Sequence, residues 1–98
     1  MDENFIYQAT TFEWDKKKEE NNLRKHGISF EIACKAFFDP FLISLHDEVD
    51  DEELREKIIG MTQNWRLLYI VYTWRADSLR IISARSATKR ERIKYENQ

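Results

Sequence analysis

Apolar residues fall at helical spacing in one stretch of the chain and at strand spacing in several others. Phe30, Ala33, Cys34 and Phe37 lie at i, i+3, i+4 and i+7, which predicts an amphipathic helix packed on a sheet. Ser29 stands where an N-cap belongs. Asp39-Pro40 ends the helix, because Pro40 disfavours helical geometry at Asp39. Phe12-Glu13-Trp14, Phe41 to Leu45, Lys57 to Thr62, Arg66 to Trp74 and Leu79 to Ala84 read as strands. The stretch RLLYIVYTW is almost continuously apolar, β-branched or aromatic, as expected of a central strand covered on both faces. Links at Gln63-Asn64 and around Ala76-Asp77-Ser78 are too short for parallel crossovers and predict antiparallel hairpins.

Two further helices follow from their ends. Asp15 is a good N-cap for a charged segment running to Lys25, and Gly27 supplies the left-handed residue that stops it. That segment holds one large apolar residue, Leu23, so it is expected to cover the edge of the sheet more than its core. Thr88 with Glu91 three residues on is a capping box opening a helix through about Tyr95. Residues 1–11 read as a loose N-terminal extension with at most a short strand around Phe5 to Tyr7, and residues 12–98 as one domain. The expected architecture is α+β: an antiparallel sheet of about four to five strands, two N-terminal helices and one C-terminal helix.

A chain of 98 residues suffices for one core without disulfide or metal staples. Its single cysteine, Cys34, cannot form an internal disulfide and reads as a small buried hydrophobe. No apolar run reaches membrane-spanning length and the first residues, MDENFIYQ, lack an apolar signal region. A cytoplasmic protein that does not enter membranes is expected. The net charge of −2 conceals an asymmetry. Between Asp47 and Glu56 seven acids face one base, Arg55, whereas from Arg66 onward eight bases face three acids. The acidic run reads as a solvated loop. The basic third, including Lys89 and Arg90, suits a polyanion.

Glycine-rich phosphate loops, dinucleotide fingerprints, HExxH and paired CxxC motifs are all missing from the sequence, and the two histidines, His26 and His46, lack the neighbours of a metal site. No cofactor and no metal are expected. What remains is metal-free chemistry on a phosphodiester. RNA carries its own nucleophile, the 2′-OH, so a base, an acid and cations for the phosphate are enough. Candidates are Lys25 and His26 at a helix end, Arg55 entering a strand, Tyr72 in the central strand, and Arg80 and Arg85 in the last one. Strict alternation puts Arg80 and Arg85 on opposite faces. Only a bulge, or a place for Arg85 beyond the strand end, would unite them.

The segments FEWD, NNLRKHGISFEIACKAFFDP, REKIIG and LLYIVYTWRADSLRIISARSATKRERIKYE together closely resemble the BrnT family of toxins from type II toxin–antitoxin modules. The resemblance spans Phe12 to Glu96. It implies a RelE-like fold and a ribonuclease that blocks translation. It also implies neutralisation by a BrnA-like ribbon-helix-helix antitoxin, in a heterotetramer of two toxins and two antitoxins that represses the shared operator. On this sequence the family's motif residues fall at Lys25, His26, Arg55 and Arg85, the expected catalytic set. Arg80, Tyr72, Lys89 and Arg90 are added as RNA or phosphate contacts on chemical grounds. Glu56 stands where many relatives carry an aromatic residue, beside Arg55, which it would either orient or dampen. The competing reading is a non-catalytic nucleic-acid-binding module or corepressor acting with the antitoxin.

Overall fold

In the computed structural model, which describes residues 1–98, the chain opens with a hairpin. Strands β1 (Asp2–Tyr7) and β2 (Thr10–Asp15) pair along their full length. Helices α1 (Lys16–His26) and α2 (Phe30–Ala36) follow, then two short strands, β3 (Ile43–Ser44) and β4 (Glu48–Asp50). Three long strands, β5 (Glu53–Met61), β6 (Leu67–Arg75) and β7 (Ser78–Ser86), form a meander, and α3 (Lys89–Glu96) closes the chain. The sheet runs β1-β2-β7-β6-β5-β3, with β4 attached to the far end of β5.

This is an α+β fold, but three expectations are corrected. The sheet has seven strands, not four or five. It is mixed, because β2 lies parallel to β7 through Phe12↔Leu79 and Glu13↔Arg80. The two helices between β2 and the meander carry the chain back far enough for the first hairpin to join the last strand. Finally, residues 1–11 are not a loose leader. Phe5 and Tyr7 turn inward from β1 and pack against the main core, so the extension is part of the same sheet.

One face of the sheet is covered by α2. Phe30, Ala33, Cys34 and Ala36 are fully buried there against Phe12, Trp14, Ile58, Ile70, Ile81 and Ala84. Burial pushes the Cys34 thiol far above its ordinary value, leaving an inert packing group. Gly60 is required where α2 ends on β5, since a Cβ there would lie 2.5 Å from the Ala36 carbonyl oxygen. Asp39 ties this end together. Its carboxylate accepts from Phe41 N–H at 2.9 Å, Met61 N–H at 2.8 Å and the Tyr95 hydroxyl at 2.6 Å.

Helix α1 serves a different purpose. Asp15 caps it by accepting from Lys18 N–H at 3.0 Å, and Gly27, with φ 68°, ends it. Its one buried residue is Asn22, whose amide donates to the Ala84 carbonyl at 2.8 Å and accepts from the Ala84 N–H at 3.1 Å. Asn22 therefore satisfies the edge of β7 where β2 has ended. A helix that closes a sheet edge with one amide needs few apolar residues.

Candidate functional site

The face of the sheet away from α2 carries the chemistry. Register places Lys57 opposite Val71 and Val71 opposite Ser83, and Ile59 opposite Tyr69 and Tyr69 opposite Arg85. Between Tyr72↔Ile81 and Val71↔Ser83 the register slips by one, leaving Ile82 as a bulge residue. Leu79, Ile81 and Ala84 consequently face the core while Arg80, Ser83 and Arg85 share the other face. Simple alternation would have separated the two arginines.

Arg85 is held on this face by a ring and a carboxylate. Its guanidinium lies 3.9 Å from the centroid of the Tyr69 ring, a cation–π stack. Both of its Nη atoms donate to the Glu91 carboxylate, at 2.8 and 2.9 Å. Glu91 also accepts from the Thr88 N–H, while Thr88 Oγ1 accepts from the Glu91 N–H. The capping box of α3 is thus built onto Arg85. The Arg85 guanidinium holds the Glu91 carboxyl below its ordinary value, and Glu91 in turn raises that of Arg85.

Beside this pair opens a cavity of about 820 Å³ lined by Ile43, Ser44, Leu45, His46, Lys57, Tyr69, Glu91 and Lys94. Lys57 is bonded to Glu48, which raises the ammonium above and lowers the carboxylate below their usual values. The Leu45 N–H donates to the Lys57 carbonyl at 2.9 Å, which fixes the approach of His46 to the cavity rim.

The expected residues are scattered around this centre. Lys25 and His26 are exposed at the end of α1, with Lys25, Asn21 and Arg24 lining a separate shallow depression. His26 is four residues beyond Asn22 on the same helix face, toward the end of β7 that carries Arg85. Arg55 shares the face of Lys57 but lies roughly 13 Å along the strands from the Arg85 row. There it pairs with Asp50 at 2.7 Å and lines a second hollow with Lys18, Arg75 and Arg80. Glu56 does not touch Arg55; as its strand neighbour it points the other way and accepts weakly from Tyr72 at 3.4 Å.

Arg80 is engaged by Asp2 and Glu13, both its Nη atoms donating to Asp2 at 3.0 Å, and pins the N-terminal hairpin to β7. Tyr72 faces the α2 side, buried and edge-on to Phe37 at 4.9 Å, so it shares no surface with Arg85. Burial, with Glu56 nearby, pushes its hydroxyl up to about 12. Lys89 and Arg90 are exposed in the first turn of α3, at the rim beside Glu91.

Sequence reasoning missed Lys57, Tyr69, His46 and Lys94. Reading β6 as covered on both faces hid Tyr69, although Tyr69, Val71 and Thr73 are one alternating set. The acidic run hid His46. That run is itself corrected by the structure: it contains β4, whose Glu48 and Asp50 fold onto Lys57 and Arg55.

The sequence of residues 14–91 matches the family described as ribonuclease toxin, BrnT, of type II toxin–antitoxin system. The fold is similar to the crystal structure of the Brucella abortus ribonuclease toxin BrnT, with a TM-score of 0.57, 23% identity, and coverage of 78% of this chain and 94% of that one. No curated protein matches the sequence. A match over more than three quarters of the chain, on a similar fold, places this protein in the BrnT family of type II ribonuclease toxins.

Proposed function

We propose that the protein is a metal-independent endoribonuclease with a RelE-like arrangement, cutting RNA on the sheet face opposite α2. The observation that carries this reading is Arg85, stacked on Tyr69 and presented by Glu91 at the edge of a cation-lined cavity. A guanidinium so held offers its planar fork to phosphate in the same geometry in which it now receives a carboxylate. The surrounding groups are those that 2′-OH attack requires: cations for the charge growing on phosphorus, and histidine for proton transfer. His26 and Lys25, the residues that the sequence motif offers, stand at the end of α1 as added polar and positive groups. Arg55, with Lys89 and Arg90, extends the track for the flanking backbone.

Membership of a type II module supports a protein antitoxin as partner. A BrnA-like ribbon-helix-helix protein fits that role, in a 2:2 complex that binds its own operator, with the toxin acting on RNA in the cytoplasm. No helix is long and apolar enough to cross a membrane.

The test is cleavage of single-stranded RNA by the antitoxin-free protein in excess EDTA. Wild type is expected to leave 2′,3′-cyclic phosphate or 3′-phosphate ends, and Arg85→Ala to lose on the order of 100-fold or more in rate. RNA binding without cleavage by wild type would favour a non-catalytic corepressor.

A further inference from the structure

We infer that His46, not His26, is the proton-transfer residue of the RNA-cleaving site, with Lys94 as its acid partner across the cavity. The inference rests on the ribonuclease reading above and deepens it. Within the cavity the titratable groups are His46, Lys57, Tyr69, Glu91 and Lys94. Lysine and tyrosine side chains keep their protons at neutral pH. Glu91 is committed to both Nη atoms of Arg85, and Lys57 to Glu48. His46 is the one imidazole among them, the side-chain type that serves both as acid and as base in proton-transfer catalysis. His26 lies outside this cavity, on the far side of β7 from β5.

The arrangement has two walls. His46 stands on the β3 side, tethered through Leu45 to Lys57. Glu91 and Lys94 lie three residues apart on one side of α3 and form the other wall. Lys57, Tyr69 and the Glu91-held Arg85 lie along the sheet between them.

In the inferred pose a phosphodiester lies over the Lys57 and Arg85 rows with its 2′-OH toward the His46 wall of the cavity. The hydroxyl proton passes to the imidazole as the 2′-oxygen bonds to phosphorus. The bond from phosphorus to the 5′-oxygen breaks, and that oxygen takes a proton from the Lys94 ammonium. Solvent then returns the proton from imidazolium to Lys94, leaving a 2′,3′-cyclic phosphate and a 5′-hydroxyl. The charges facing His46 are Lys57 from β5, Tyr69 from β6, Glu91 and Lys94 from α3, and Asp47 and Glu48 from its own segment.

His46 is exposed, so its replacement is expected to leave the fold intact. The experiment is the pH profile of kcat/KM for wild type, His26→Gln, His46→Gln and His46→Ala on a dinucleotide of single-stranded RNA in EDTA. His46→Gln is expected to lose about 100-fold and the rising limb of the profile, and His46→Ala to recover activity with added imidazole. An unchanged limb in His46→Gln, or its loss in His26→Gln instead, overturns the inference while leaving the ribonuclease reading intact. Absence of cleavage by wild type in every condition, including with ribosomes, overturns both.

Discussion

Asn22 concentrates more structural responsibility than any charged residue of α1. Its amide is bonded to both backbone groups of Ala84 and to the Ile28 carbonyl. Asn22→Leu keeps the volume but leaves these buried groups unpaired, at roughly 1–3 kcal/mol for each one that finds no water. Urea unfolding should show the loss, with an unchanged slope. A polar residue amid NNLRKHG gives no sequence signal of this kind, because burial of an asparagine is decided by which strand edge the helix meets. Glu91 is a second such residue, and its role was half legible: the Thr88–Glu91 capping box is plain in the sequence, the grip on Arg85 is not. Because Arg85 depresses the folded-state value of Glu91, the stabilisation is fully present above the unperturbed value of 4.5 and fades as pH falls through the lower folded one. Glu91→Gln should therefore flatten the acid limb of the stability curve between neutral pH and pH 3, read by thermal melts across that range.

At the scale of elements, caps and breakers made the three helices readable, and runs of apolar, β-branched and aromatic residues made β5, β6 and β7 readable. The strand β4 escaped, and β1 was legible only as a short strand around Phe5 to Tyr7. Every residue of β4 is exposed, so no apolar pattern marks it; it exists because β5 extends beyond the sheet and folds a partner back onto itself. In β1 only Phe5 and Tyr7 turn inward, too short an alternation to stand without β2. What secures that hairpin is the Arg80 cluster. Arg80→Ala strands Asp2 and Glu13 beside each other, and should cost on the order of 1–2 kcal/mol, between the values of exposed and buried ion pairs. Hydrogen exchange should speed up in β1 and β2 while RNA affinity stays within about twofold, the reverse of what a phosphate contact would give.

On the scale of the whole molecule, the cations of the candidate face are largely spoken for. Arg55 meets Asp50, Lys57 meets Glu48, Arg75 meets Glu53, Arg80 meets Asp2 and Glu13, and Arg85 meets Glu91. Arg75 and Arg80, two bases of the last third, thus meet acids from distant segments, a pairing that composition alone cannot reveal, while Lys89, Arg90, Arg92 and Lys94 of α3 are exposed. On the proposed ribonuclease reading, RNA reaching Arg55, Lys57 or Arg85 has to displace carboxylates. Replacing Glu48 by Gln and Asp50 by Asn together should tighten single-stranded RNA binding several-fold. It should also steepen the slope of log K against log salt by about 1.4, or 0.7 for each additional phosphate contact. Titrations at a series of salt concentrations measure both.

The slip at Ile82 bears on how this molecule tolerates insertions and deletions. Removing that one residue would only straighten β7. Ser83 would then follow Ile81 opposite Val71 in plain alternation, and Ala84 and Arg85 would keep their sides of the sheet. A residue inserted between Ile82 and Ala84 with no second bulge would do the opposite: it would drive Arg85 into the apolar interior and Ala84 out to solvent, and the Asn22 clasp on Ala84 would lose its partner. A relative one residue shorter here presents the same two faces without the bulge. Gap placement at this position in an alignment therefore decides which arginines are equivalent.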